Sequence, residues 1–453
     1  MKKKSAFFLS TTQIILISFL IVIFIGSLLL SLPISSATGE RVSYIDALFT
    51  ATTATCVTGL VTLTTATAWS LFGQVVILIL IQIGGLGLIT IIAGIMVAMH
   101  RKFGLKDGQL IRDAFNLNSL SGLARFVKRV LIGTFAIELC GALLYMTVFI
   151  PEFGVRGIWM SLFTSISAFC NAGIDIIGDN SLCNYAQNPL VNLFTSLLII
   201  LGGLGFVVWW DVLRVLGDYK KMGRRCFSKL TLHTKIVLVS TAILLVGGGV
   251  LIFIFEYNNP QTIASYSLFD KLQVSFFQSV TTRTAGFASI PQGDLTNASS
   301  ILSLVLMFIG GSPIGTAGGI KTVTVVALCA TAYATIRNKN EVSVFGRSLS
   351  ADVTRRAVAV SCMSFAIMLI STLALAAVCD AGALDILYET VSATGTVGLS
   401  RDLTPTLDVF GKIIIITTMY LGRIGPISLA IAVRPNGENT NSIKNPTEEI
   451  SIG

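Results

Sequence analysis

The chain has 453 residues, of which 53% are hydrophobic and 12% charged, and its mean hydropathy is +0.81. These values exclude a soluble enzyme or binding domain of this size and indicate a polytopic membrane protein. The formal net charge of +9 does not point to nucleic acid, because the basic residues sit in alternate loops, as they do in membrane proteins.

Met1-Lys2-Lys3-Lys4 precedes an apolar run at 12–32 that is long enough to span and is followed by no small-residue cleavage site, so the expectation is a retained first helix. Further segments long enough to cross lie near 71–98, 127–150, 190–214, 236–256, 298–336, 357–379 and 409–433, and only 298–336 is interrupted. Shorter apolar stretches near 45–55, 158–170, 268–281 and 383–393 are too short to span and fit re-entrant helices.

Each short stretch runs into a polar strand that ends on glycine: TATCVTGLV at Gly59, SAFCNAGID at Gly173, TTRTAGFAS at Gly286 and SATGTVGLS at Gly398. An aromatic residue stands ten positions before each glycine, at Phe49, Phe163, Phe276 and Tyr388. Double glycines recur 24 to 29 residues later, as Gly84-Gly85, Gly202-Gly203 and Gly310-Gly311, and as Gly422-Arg423 in the last copy. The first two pairs fit close helix packing. The chain therefore reads as an all-α membrane protein of four parallel repeats, each a helix, a re-entrant loop and a helix, with pseudo-fourfold symmetry around one ion pore. The repeats divide as 1–115 (loop 45–60), 116–235 (loop 158–174), 236–340 (loop 268–287) and 341–433 (loop 383–399), followed by a polar tail at 434–453.

Basic residues gather at Lys2–Lys4, at Arg101, Lys102, Lys106, Arg112, Arg125, Lys128 and Arg129, at Lys220, Lys221, Arg224, Arg225, Lys229 and Lys235, and at Arg337, Lys339, Arg347, Arg355 and Arg356. The positive-inside rule places these loops, both termini and the connectors near 99–124, 217–235 and 338–356 in the cytoplasm. The opposite loops carry Glu40, Asp46, Glu152, Asp175, Asp179, Glu256, Asp270, Asp294, Asp380, Asp385, Glu389, Asp402 and Asp408, an acidic surface that concentrates cations.

A cation entering the bilayer must exchange its hydration shell for other oxygens, and rings of backbone carbonyls provide them without burying a counter-charge. Glycine lets such carbonyls turn toward a shared axis. Short helices descending to the middle of the membrane add the negative end of their dipoles. The candidate filter comprises Thr55, Cys56, Val57, Thr58 and Gly59; Phe169, Cys170, Asn171, Ala172 and Gly173; Thr282, Arg283, Thr284, Ala285 and Gly286; and Thr394, Gly395, Thr396, Val397 and Gly398, acting mainly through main-chain oxygens. The Arg283 side chain is expected to turn outward or sideways, toward acidic loop residues. The segment GGSPIGTAGGIKT at 310–322 holds five glycines, a proline and a lysine and cannot be an ordinary buried helix. It is expected to be a constriction under the filter, with Gly310, Gly311, Ser312, Gly315, Thr316, Gly318, Gly319 and Lys321 as gate residues. It is no phosphate loop, since Ile320 separates Gly319 from Lys321. Arg423 lies mid-span, where the functional reading is a fixed charge beside the path and the alternative is a salt bridge between repeats.

These features resemble the TrkH/KtrB/HKT superfamily of potassium transporters, most closely its KtrB or NtpJ-type membrane subunits. SVTTRTAGF and GGSPIGTAGGIKT are the most specific matches; Ile314-Gly315 stands where many relatives have Gly-Ser. The resemblance implies potassium uptake across the cell membrane, with K+ as the transported ion and sodium as an alternative or cotransported one. It implies that Gly59, Gly173, Gly286 and Gly398 are filter glycines, with glycine at the first position as in potassium-selective members and unlike sodium-favouring plant relatives with serine. It also implies an intramembrane gate with Arg423 beside it, a homodimer, and a cytoplasmic RCK-type nucleotide-binding regulatory subunit like KtrA.

An organic-solute transporter would more often show inverted repeats. An intramembrane enzyme lacks a catalytic constellation here, since His100 and His233 lie in basic segments and no paired carboxylates occur within a span. The eight cysteines include no C-x-x-C pair, so neither a disulfide framework nor a zinc site is indicated.

Overall fold

The structure is a computed structural model that describes residues 11–99, 123–217, 226–339 and 341–425. The N-terminal lysines, nearly all of the connector near 99–124, the cluster Lys220–Arg225, the tail 434–453 and the end of the expected last span lie outside these residues.

Helices Thr11–Leu30, Leu123–Phe153, Leu232–Glu256 and Ala351–Val378 are long and apolar enough to cross a membrane. Their outer faces expose large apolar side chains, among them Ile132, Leu139, Ile243, Ile254, Ile370 and Leu373, which is a surface suited to lipid. Each is followed by a shorter, largely buried helix: Tyr44–Cys56, Arg156–Cys170, Leu268–Thr281 and Ala383–Gly395. An irregular strand and an outer loop then lead into a further helix, Leu71–Leu86, Pro189–Leu204, Asn297–Phe308 or Val409–Ile424. That helix starts on the same device in every repeat. The side chains of Ser70, Asn188, Thr296 and Asp408 accept hydrogen bonds from the first free backbone N–H groups.

The expectation of a single interrupted span is corrected here. The following helix is broken in the first and second repeats as well, and in the fourth it ends in the same way. Gly87, Gly205 and Gly425 stop their helices at φ 80°, 88° and 82°, a left-handed conformation that costs an L side chain energy and costs glycine little. After Gly87 the chain continues as Leu88–Ala98. After Gly205 it continues as Phe206–Gly217, bent by 98° from the preceding helix. In the third repeat the break is the thirteen-residue segment itself, between Phe308 and Thr322.

The fourth residue of each of these later helices marks a junction between repeats. Gln74 accepts from the Trp159 indole at 2.8 Å. Asn192 donates to the Ala186 carbonyl at 2.7 Å, which also accepts from Gln273 of the third repeat. Ser300 accepts from Arg401 at 2.7 Å, and Arg401 also pairs with Asp385. Lys412 closes the circle onto Asp46 of the first repeat at 2.6 Å. Equivalent positions thus carry different polar chemistry at each junction. The expected connector at 338–356 contains a hairpin in which Ser343–Val344 pairs with Arg347–Ser348 around Phe345-Gly346, both at positive φ, the geometry of a tight two-residue turn.

Candidate ion pathway

The four short helices end where their strands begin, so the negative end of each helix dipole lies beside its strand. The glycines that close the strands form a ring. A Cβ added to Gly59 would meet the Ala172 carbonyl oxygen at 2.5 Å, and one on Gly173 would meet that of Ala285 at 2.6 Å. One on Gly286 would run into the carbonyl of Val397, and one on Gly398 into that of Thr58. Each glycine therefore abuts the carbonyl of the residue preceding the next glycine, and the fourth returns to the first. All four have positive φ, at 101°, 65°, 79° and 101°, so a side chain there is excluded by conformation as well as by space.

Two residues earlier, Val57, Asn171, Thr284 and Thr396 are also left-handed, at φ 54°, 58°, 67° and 50°. Three of these are β-branched, and such backbone persists only where the surroundings hold it. Hydroxyls in the last helical turn supply that hold. Gly59 N donates to Thr53 Oγ1 at 2.9 Å and Gly398 N to Ser392 Oγ at 3.0 Å. Ser167 donates to the Ile174 carbonyl at 2.5 Å and Thr281 to that of Phe287 at 2.6 Å. The anchoring hydroxyl lies six residues before the glycine in three repeats and five before it in the third. The third aromatic shifts with it. Phe49, Phe163 and Tyr388 are fully buried as their position predicts, but in the third repeat Phe277 is buried and Phe276 is 39% exposed, which corrects the ten-residue register there.

Of the other candidate filter residues, Thr55, Cys56, Phe169, Cys170, Thr394 and Gly395 fall in the last turn of the short helices and not in the strands. Thr55 Oγ1 and Thr58 Oγ1 are buried without a protein partner. Cys56 belongs to an apolar cluster with Ile415 and Met419, and the Phe169 ring packs on Trp209 at 5.7 Å between centroids. Cys170 Sγ is 3.6 Å from Gln82 Oε1, while Thr282 and Thr394 donate back to their own helices. The double glycines admit the later helix onto these helix ends. A Cβ on Gly84, Gly202 or Gly422 would run into the carbonyl of Thr55, Phe169 or Thr394 respectively.

Below the ring lies the 310–322 segment. Its neck is closed by Gly310 N to the Ile320 carbonyl at 3.0 Å and Ile320 N to that of Phe308 at 3.1 Å. It rests on the glycine break of the second repeat through Ser312 N to Gly203 O, Thr316 N to Gly202 O and Phe206 N to Ile314 O. Ser312 faces Thr322, and Thr316 Oγ1 donates to the Phe169 carbonyl at 3.0 Å, so its hydroxyls are turned into protein. Lys321 Nζ bonds back to the carbonyls of Ala317 and Gly318 at 2.7 and 3.3 Å. Arg423 donates to the Thr316 carbonyl at 2.7 Å and the Gly84 carbonyl at 2.5 Å, joining three repeats. Among the described residues no carboxylate lies within ion-pair distance of it, and its partners there are main-chain carbonyls. Arg283 also departs from expectation. The residue is 6% exposed, and its side chain runs sideways to the Gly310 carbonyl at 3.1 Å instead of reaching acidic loops, because the broken helix leaves that carbonyl open.

A cavity of about 400 Å³ opens beneath the segment, lined by Gly315, Gly318, Lys321, Thr394 and Arg423 among others. On the other side of the ring a mouth of about 350 Å³ is lined by all four ring glycines and by Asp175, Asp179 and Asp402. The segment stands between these two spaces. Other acidic residues of that side are structural: Glu256 accepts from Thr296, Thr262 and Asn259, and Glu389 from Ser400 and Thr404. The sequence reading passed over Glu138, which bonds Gln82 at 3.0 Å behind the second strand. Its signal was a lone carboxylate in the middle of the span at 127–150.

The family model described as TrkH, cation transport protein, matches residues 2–442. The Ktr system potassium uptake protein B of Bacillus subtilis is 40% identical over 442 residues, 97% of this chain and 96% of that protein. The potassium/sodium uptake protein NtpJ of Enterococcus hirae is 39% identical, covering 100% of this chain and 99% of its own. The crystal structure of the potassium transporter TrkH from Vibrio parahaemolyticus matches with a TM-score of 0.75 at 16% identity, over 97% of this chain and 88% of that one, a likeness of fold.

Proposed function

Because the chain belongs to the TrkH family of cation transport proteins, we propose that it is the pore subunit of a potassium uptake system of the cell membrane. The observation that carries this reading is the closed ring in which each of Gly59, Gly173, Gly286 and Gly398 abuts the carbonyl before the next. Such a ring presents main-chain oxygens around one axis and excludes side chains from it, which suits a dehydrated monovalent cation. The free hydroxyls of Thr55 and Thr58 add oxygens of the same kind. The mouth faces outward and collects cations with its aspartates, and the 310–322 segment is the gate. Lys321 and Arg423 line the space below it and oppose cation entry by charge as well as by bulk. The termini and basic connectors face the cytoplasm, a second copy completes a homodimer, and an RCK-type nucleotide-binding subunit docks on the connectors.

The relative named as a potassium/sodium uptake protein supports a second reading in which sodium shares the path or accompanies potassium. Rubidium uptake into proteoliposomes holding only this chain, with sodium varied on both sides, separates the two. Saturable rubidium uptake, lost in Gly286→Ser, supports the filter; sodium uptake that excludes rubidium overturns the ion assignment and leaves the fold in place.

A further inference from the structure

The third strand differs from the other three in what its side chains hold. Arg283 donates to the carbonyl of Gly310, at the start of the gate segment, and Thr284 Oγ1 accepts from Gly318 N at 3.1 Å, near its end. Two consecutive residues thus grip both ends of the segment. At the same position before the ring, the first strand has Val57, with no hydrogen-bonding group, and the fourth has Thr396, whose hydroxyl is unpaired. Thr284 is left-handed at φ 67°, and its bond to Gly318 helps to hold that backbone. The next residue is Ala285, whose carbonyl faces Gly173 in the ring. An unbroken chain of contact therefore runs from the segment through Thr284 and the Ala285 carbonyl to the neighbouring strand.

The Arg283 guanidinium is not fixed on its other side. Its Nε has no partner, nor has Thr241 Oγ1, and both residues line a cavity of about 20 Å³. That volume admits one water molecule, which would pair both groups. Among the described residues, the one protein hydrogen bond that holds the guanidinium is to a carbonyl of the segment. The side chain can therefore follow the segment without breaking an ion pair.

Resting on the filter-and-gate reading above, we infer that Arg283 and Thr284 are positioning residues that couple the segment at 310–322 to the third strand of the ring, so that displacing the segment alters the ring's preference among monovalent cations as well as its throughput. A segment acting only as a lid would change throughput alone.

The test compares initial uptake of rubidium and of sodium into proteoliposomes made from the full chain and from its variants. Arg423→Gln releases the segment from the fourth repeat without touching the ring. It should raise uptake and lower the rubidium-to-sodium ratio about fivefold, the lower end of ordinary coupling. Thr284→Val should shift the ratio in the same direction, and Thr284→Ser, which keeps the acceptor, should restore it. With both bonds removed, in Arg283→Met combined with Thr284→Val, Arg423→Gln should change the ratio no further, because the link is already cut. Lys321→Met, which frees the segment from within, serves wherever Arg423→Gln does not elute as dispersed protein. An unchanged ratio on release of the segment, or a further shift when Arg423→Gln is added to that double variant, overturns the inference. Absence of saturable rubidium uptake in the parent, or indifference to Gly286→Ser, would instead fail the filter reading itself.

Discussion

The glycine ring and the segment beneath it are both irregular backbone inside a helical protein, yet they are held in opposite ways. In the ring each strand is fastened by hydroxyls of its own repeat, Thr53, Ser167, Thr281 and Ser392, and a methyl group finds no room. The segment is fastened from several directions: by the Gly202 and Gly203 carbonyls of the second repeat, by Arg283 and Thr284 of its own repeat's strand and by Arg423 of the fourth repeat. Backbone at membrane depth must have its polar groups paired. Short hydroxyls buried behind each strand make a fixed aperture, whereas bonds to the long side chains of Arg283 and Arg423 can be exchanged for water when the segment moves. Rigidity and movement here depend on whether the backbone is fastened by short buried hydroxyls or by long side chains.

The sharpest way to break this comparison is to add one carbon to the ring. Gly59→Ala places a Cβ 2.5 Å from the Ala172 carbonyl, in a residue at φ 101°. Strain of about 3 kcal/mol is expected, and rubidium uptake should fall roughly a hundredfold. Near-normal uptake would show that the ring is pliable. The physical effect falls on the neighbouring strand's carbonyl.

Loosening the segment should act in the other direction. Lys321→Met removes the amino group that holds the Ala317 and Gly318 carbonyls and removes a charge from the cavity lining. Charge-assisted bonds contribute about 1.5 to 3 kcal/mol each, so uptake should rise roughly tenfold. A fall in uptake would mean that Lys321 serves conduction and not closure.

The junctions between repeats rank next in expected effect, and their loss should affect stability and leave ion preference alone. Lys412→Met leaves Asp46 in a site where its carboxylate is 13% exposed. Loss of about 2 kcal/mol is expected, intermediate between surface and buried pairs. Thermal unfolding in detergent measures it, and the rubidium-to-sodium ratio of the surviving protein should match the parent. A changed ratio would place the junction within the coupled machinery.

Much of this contrast was legible in the sequence. The four strand glycines repeat in register, and a segment such as GGSPIGTAGGIKT cannot continue a helix, so the ring and the gate segment both followed from residue type. What stayed hidden depends on direction. Gly87, Gly205 and Gly425 did not stand out beside the double glycines because nothing local distinguishes a glycine that closes on a neighbour from one that turns left-handed. Arg283 was expected among acidic loops because charge suggested its partner, but an open carbonyl at Gly310 took that place. The shift from Phe276 to Phe277 was invisible because adjacent aromatics satisfy either register. Glu138 was visible and passed over.

The smallest expected effect lies in the mouth, which neither shapes the ring nor touches the segment. Asp175, Asp179 and Asp402 line it, and their field raises the local cation concentration without fixing any ion. Replacing all three with asparagine should lower rubidium uptake about twofold at low ionic strength. The loss should vanish near 1 M salt, where the screening length falls to about 3 Å. Burial pushes the Asp175 carboxyl above the ordinary carboxylate range, so it gains a proton first as pH falls and the mouth then loses part of its charge. Uptake by the parent should therefore decline on mild acidification, and Asp175→Asn should remove that early decline while starting from a lower level. If the triple variant instead loses uptake equally at all salt concentrations, the aspartates are direct ligands of the ion, and the fixed aperture extends outward into the mouth.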